Sequence, residues 1–252
     1  MIGVDAHPAR HVLLAGAQRC GTTYLGAALD AHPQITLAQP SRPEPKVWCG
    51  AELAARGHAS YDATWFAHAR DELLLLDKST SYLEDPAAPA RAADALGDPL
   101  VVVVLRDPVQ RAISNWRFST DHGLETRGLE EALLADLDSA QPWDAATSSV
   151  SPFAYLRRGR YVEHLAPWLS TFPGSTHVLL LEELLGDPTV LPGLVAALGA
   201  DPALMPRPAG EPVNESSADS PVLGEALRGT VEAYFAPANA ALADILGRKV
   251  PW

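Results

Sequence analysis

The sequence predicts an α/β fold, a three-layer sandwich with a central parallel sheet of about five strands and helices on both faces. Three observations predict it. Short apolar runs alternate with helical patterns along the chain, the order expected of βαβ units. Those runs are apolar almost throughout, as strands covered on both faces are. The chain has 252 residues with 47% apolar and 20% charged composition, enough for one large domain, residues 1–252, with a well-buried core.

His11–Gly16 reads as the first strand, because four apolar residues end in glycine ahead of a Gly/Thr turn. A helix follows from Thr22 to Asp30 and stops before Pro33. Ile35–Ala38 is a second apolar run, leading into a loop with Pro40, Pro43 and Pro45. Tyr61–Arg70 reads as a helix, Leu73–Leu76 as a buried strand, and Pro86–Leu96 as a helix with proline in its first turn. Val101–Leu105, a β-branched run bounded by Pro99 and Pro108, is the clearest strand. A helix from Pro108 past Trp116, a helix Tyr161–Phe172, a strand Val178–Leu181, a helix Leu191–Leu198 and a final helix ending at Leu246 complete the pattern. Gln141–Pro152 and Asp201–Pro221 read as polar loops.

The bulk properties exclude several classes. A net charge of −12 argues against a broad nucleic-acid footprint. No apolar run approaches the roughly 18 residues of a membrane span, and Met1 to Arg10 lack an apolar signal segment, which predicts a cytoplasmic protein without a membrane partner. Cys20 and Cys49 have no metal-ligand spacing and read as buried thiols. Against this acidic background the basic residues around Arg19, Arg106–Arg111 and Arg157–Arg160 require local explanations.

The first explanation lies in Gly16-Ala17-Gln18-Arg19-Cys20-Gly21-Thr22-Thr23. This G-x4-G frame between strand and helix makes the sandwich P-loop-like, with Thr where a Walker A motif has Lys. Its amides can wrap an anion at the positive end of a helix. Without the lysine that reaches the β- and γ-phosphates, the loop suits a 5′-phosphate carrying one further anionic group better than a triphosphate. Arg19 sits inside the turn, and Thr22 and Thr23 add hydroxyl and amide donors.

The second lies at the end of Val101–Leu105, which runs into Arg106-Asp107-Pro108-Val109-Gln110-Arg111-Ala112-Ile113-Ser114-Asn115-Trp116. Arg106 stands at the carboxyl end of a strand, where α/β sheets bind ligands. Ser114 is eight residues on, about two turns along the helix that Pro108 opens. A phosphate between strand end and helix could be gripped by both.

Together these two elements resemble the signatures of the 3′-phosphoadenosine 5′-phosphosulfate (PAPS)-dependent sulfotransferases, of the carbohydrate and heparan-sulfate type with bacterial relatives. The resemblance implies that the first element, through Gln18, Arg19, Cys20, Gly21, Thr22 and Thr23, cradles the 5′-phosphosulfate. Arg106 and Ser114 would hold the 3′-phosphate. The stretch from Arg42 to Trp48 resembles the family's Pro/Glu/aromatic segment, making Glu44 the general base, and the stretch from Asp77 to Leu83 resembles its E-K-[ST]-x-x-Y segment. Leu156-Arg157-Arg158-Gly159-Arg160-Tyr161 resembles bacterial relatives, which adds Arg160 to the cofactor-binding set. Arg19 replaces the catalytic Lys of most members, and no K-G-R loop occurs near Val213–Ser220.

In-line sulfuryl transfer needs positive charge at the leaving 5′-phosphate and a base for the acceptor hydroxyl, and does not demand a metal. The expected catalytic set is therefore Arg19 at the leaving group, Glu44 as base and Lys78 adding positive charge just past its strand. The product would be 3′-phosphoadenosine 5′-phosphate (PAP), and the acceptor a carbohydrate or small-molecule alcohol. His32, His58, His68 and His122 read as structural or exposed, and Trp48, Trp116 and Trp143 as core or rim aromatics. Two other classes share the pattern. An ATP- or GTP-dependent kinase would have this fold and a Walker-B-like Val101–Asp107, but lacks its G-K-[ST]; a non-catalytic nucleotide-binding module would keep both anion sites without transfer. Acceptor identity and oligomeric state are not legible in the residues.

Overall fold

In a computed structural model, residues 9–144, 150–206 and 221–252 are described. The elements run β1 (Arg10–Gly16), α1 (Thr22–Asp30), β2 (Ile35–Leu37), α2 (Ala51–Ala54), α3 (Gly57–Trp65), β3 (Leu74–Lys78), α4 (Ala88–Leu96) and β4 (Leu100–Leu105). They continue through α5 (Pro108–Asp121), α6 (Leu129–Asp138), α7 (Tyr161–Thr171), β5 (Thr176–Leu180), α8 (Leu181–Gly186), α9 (Val190–Ala197) and α10 (Glu225–Leu246).

The five strands form one parallel sheet in the order β2-β3-β1-β4-β5, with helices around it, as the alternating pattern predicts. β4 is buried at every residue, and β1 at every residue after Arg10, as strands central to a covered sheet must be. Because β2 and β3 follow β1 on one side while β4 and β5 lie on the other, the chain direction switches around β1. Ligands of such sheets bind outside the carboxyl ends of strands at this kind of switch. The turn from Gly16 to Thr23 leaves the carboxyl end of β1, Lys78 ends β3, and Arg106 is the next residue after β4.

The chain divides into two compact units. One comprises the residues up to Leu105 and those from Pro167 to Glu211, and contains the whole sheet; the other comprises Arg106–Ala166 and Pro212–Trp252. The second has its own core, in which Val109, Ile113, Leu129, Leu133, Tyr155 and Phe235 come together from α5, α6, α10 and the segment before α7. Inside it, buried Arg111 donates to the carbonyls of Ala154 and Tyr155. Glu125, engaged by Arg127 and by the Tyr155 hydroxyl, is pulled down to about 2 despite the opposing effect of burial.

Several boundaries differ from expectation. The helix expected over Tyr61–Arg70 is α3, which starts four residues earlier and ends five earlier, because Phe66 leaves the helix to meet the rings of His11 and Tyr61, and His68 bonds Thr36 on β2. β3 runs on to Lys78, since its pairing with β1 continues through Asp77, whose polarity reads in sequence as a strand end. Leu181 opens α8 instead of closing β5. α2, α6 and α8 were not anticipated. No helix among the described residues is long and apolar enough to cross a membrane. The loop expected over Gln141–Pro152 is described except for 145–149, and the Val213–Ser220 stretch lies outside the described residues.

Candidate active site

The sheet-bearing unit supplies most of the candidate residues. After β1 the chain turns through Arg19 at φ 66 and Gly21 at φ 81, both left-handed, and then enters α1. Gly21 is doubly constrained: its φ favours glycine, and a Cβ there would stand 2.5 Å from Leu181 Cδ1. As N-cap it offers no side chain, and the first turn holds no acid. With no side chain at the cap, the leading amides of α1 suit an outside acceptor, and the helix dipole favours an anion there. Cys20 is fully buried and Thr22 nearly so, while Arg19 and Thr23 are exposed and Gln18 and Gly21 half-buried. Anchored at its start by the Ala17 amide donating to Val104 O at 2.8 Å, the turn is fixed to the carboxyl end of β4.

Glu44 and Lys78 meet. Lys78 Nζ donates to Glu44 Oε1 at 2.6 Å, and Glu44 Oε2 accepts from both the amide and the hydroxyl of Thr80, each at 3.0 Å. Both partners of the ion pair are largely shielded, with side-chain exposures of 13% and 17%. A carboxylate has about four lone-pair positions; among the described residues three are occupied, so one remains on Oε1. The lysine stem is itself positioned. It lies across Gly26 of α1, where an added Cβ would come within 3.0 Å of Lys78 Cδ.

The second unit holds the other candidates. Arg106 is half-buried, and its carbonyl accepts from the Tyr161 hydroxyl at 2.7 Å, while no ion pair among the described residues engages its guanidinium. Asp107 caps α5, accepting from the amides of Val109 at 2.8 Å and Gln110 at 3.2 Å, with Pro108 in the first turn. Ser114, half-buried, stands two turns into α5. Arg160 is committed to Glu163 at 2.6 Å and lies over the Tyr234 ring at 5.3 Å. The hydrogen bond to Glu163 holds its pKa above the ordinary arginine value.

The histidines and tryptophans fall where expected. His32 bonds the Asp201 carbonyl and accepts from the Gln34 amide at the end of α1, His58 meets Asp62, His68 meets Thr36 and His122 meets the Phe118 carbonyl. Trp48 is fully buried against Tyr61, Trp116 donates to the Arg127 carbonyl, and Trp143 is exposed. Residue-type reasoning missed Thr80 as the second grip on Glu44. The sequence signal was its place three residues after Asp77 and next but one to Lys78, in the segment already singled out.

No protein-family model matches the chain. Heparan sulfate glucosamine 3-O-sulfotransferase 6 of Mus musculus and of Homo sapiens is 33% identical over 179 residues, 70% of this chain and 48% of those proteins. The bifunctional heparan sulfate N-deacetylase/N-sulfotransferase 1 of Caenorhabditis elegans is 27% identical over 187 residues, 73% of this chain and 21% of that protein. The chain therefore spans less than half the length of these curated relatives. A crystal structure of a sulfotransferase from Alicyclobacillus acidocaldarius superposes with a TM-score of 0.78 and 25% identity, covering 97% of this chain and 98% of that one. The parallel five-strand sheet of this chain thus matches a sulfotransferase fold. Over most of its length the chain is similar to carbohydrate-type sulfotransferases and to a bacterial sulfotransferase.

Proposed function

We propose that this chain, acting as a single sulfotransferase domain, moves the sulfuryl group of PAPS in line to the hydroxyl of a carbohydrate or small-molecule acceptor. The reading is carried by Glu44, a carboxylate fixed on three sides by Lys78 and Thr80 with one lone pair of Oε1 unfilled. In this reaction the acceptor oxygen bonds to sulfur, the bond from sulfur to the 5′-phosphate oxygen breaks, and the hydroxyl proton passes to Glu44. Negative charge then grows on the departing phosphate. Arg19, always protonated, is the cation for that charge, with the uncapped amides of α1 beside it in the chain. Lys78 keeps positive charge next to the base. Arg106 and Ser114 take the 3′-phosphate through side-chain contacts, and Arg160 belongs to the same cofactor-binding set. The 3-O-sulfotransferase names of two sets of curated relatives support a sugar hydroxyl as the target.

The test uses the purified full chain, labelled PAPS and a panel of sugar and small-molecule alcohols. Sulfation is expected, falling by about 10²- to 10⁴-fold in Glu44→Gln, the range of a lost general base, and in Arg19→Ala as well. Unchanged sulfation in either variant removes that residue's role. PAP should raise the melting temperature whereas ATP with Mg²⁺ should not; stabilisation by ATP alone establishes the kinase reading. PAP stabilisation with no acceptor ever sulfated establishes a binding module.

A further inference from the structure

The loop that carries Glu44 is tied down by a buried polar cluster. The amide of Lys46 donates to Ser79 Oγ at 2.9 Å and the amide of Val47 to the Tyr82 hydroxyl at 2.9 Å, so the two attachments fall two and three residues after Glu44. Both hydroxyls then donate to one carboxylate: Ser79 Oγ to Asp77 Oδ1 at 2.7 Å, Tyr82 to Asp77 Oδ2 at 2.7 Å. A third hydroxyl, from Tyr61 on α3, reaches Oδ2 at 2.8 Å. Asp77 has no exposed surface and no ion pair among the described residues.

We infer that Asp77, Ser79 and Tyr82 are positioning residues that set where the Glu44 carboxylate stands. This rests on the reading of Glu44 as general base.

The argument turns on hydrogen-bond polarity. An ionised carboxylate only accepts. Ser79 and Tyr82 must therefore each spend their single proton on Asp77, which leaves their lone pairs to face outward and accept the two loop amides. A neutral or donating group at position 77 would free a hydroxyl proton to point at an N–H, and an amide of the Glu44 loop would lose its acceptor. Alternation along the end of β3 completes the device. Asp77 and Ser79 bond within the cluster, while Lys78 and Thr80 bond Glu44 itself, so one short segment fixes both the base and the loop that bears it. Burial pushes Asp77 up to about 6 against the pull of the three hydroxyls, with nearby Glu44 adding to the rise. A buried carboxylate with no cation is costly to keep, and a fixed donor direction is what it supplies here.

The experiment compares Tyr82→Phe, Ser79→Ala, Ser79→Thr and Glu44→Gln in the full chain, measuring kcat, PAP affinity and melting temperature. Displacing a reacting group by about 1 Å costs on the order of 100-fold. Tyr82→Phe and Ser79→Ala should thus lower kcat by roughly 10- to 100-fold with PAP affinity unchanged, and Ser79→Thr, which keeps the hydroxyl, should retain most of it. Adding Tyr82→Phe to Glu44→Gln should cost nothing further, because a base already removed cannot be misplaced. Wild-type kcat in Tyr82→Phe and Ser79→Ala, alongside a lost kcat in Glu44→Gln, overturns the positioning role and leaves the sulfotransferase reading intact. Additive losses in the double variant overturn it equally. Full activity in Glu44→Gln instead strikes the reading of Glu44 as base, whatever the cluster does.

Discussion

The two strand-to-helix turns that resemble anion cradles treat the same problem in opposite ways. Every helix begins with amides that have no partner inside the helix. At α1 the cap is Gly21, which has no side chain to answer them, and the turn before it carries a second left-handed residue, Arg19. At α5 the cap is Asp107, whose carboxylate already takes two amides, behind a proline that needs none. The first turn leaves its backbone for a ligand; the second is closed upon itself. An anion at the second turn has to be held by side chains, which suits the half-buried guanidinium of Arg106 and the hydroxyl of Ser114. On the proposed reading, a strand ending in glycine and a strand leading into Arg-Asp-Pro would each receive phosphate, one through main chain and one through side chain.

This contrast can be broken in order of expected effect. Gly21→Ala should be the most damaging change. It places a Cβ at φ 81, a conformation costing about 1–2 kcal/mol for a residue with a side chain, and drives it toward Leu181, so the amides no longer converge. The expected outcome is loss of the melting-temperature rise caused by PAP; an unchanged rise would mean that main-chain donors at α1 do not bind it. Arg106→Ala should weaken PAP binding by about 1.5–3 kcal/mol, the range for a hydrogen bond to a charged group, as titration calorimetry would show. Equal affinities for variant and wild type refute the side-chain assignment. Asp107→Ala should cost about 0.5–2 kcal/mol of stability in denaturant unfolding while Asp107→Asn costs only a few tenths, because Asn caps as well as Asp. If Asp107→Asn unfolds as readily as Asp107→Ala, the cap is not what Asp107 provides.

Much of this was legible in the residues because the signals were local. β1 and β4 are apolar to the end and stop at Gly and Arg-Asp-Pro, so both the strands and the turns after them could be placed. α6 was not, although Leu129, Ala132, Leu133 and the buried Asp136 have helical spacing and Glu130 and Glu131 fill the first turn. Its acidic composition reads as a surface loop until the apolar face finds α5 and the segment before α7 to cover it. Long-range pairing was harder still. That Glu44 meets Lys78 and Thr80, 34 and 36 residues away, is a fact about parallel β2 and β3 and the loops they launch, and no window of sequence around Glu44 contains it. The buried Asp77 was hidden for the converse reason: an acidic residue after Leu74-Leu75-Leu76 looks like the place where a strand reaches water, and three hydroxyl donors supplied from elsewhere let it stay inside.

The bare α-carbon at Gly26 makes the first helix a mechanical rest for the lysine. With the stem of Lys78 laid flat on that surface, its charged tip is delivered at a height determined by backbone and not by rotamer choice. One methyl group at this spot would lift the side chain by a few tenths of an ångström. A charge held 2.6 Å from its carboxylate would have to shift with that lift.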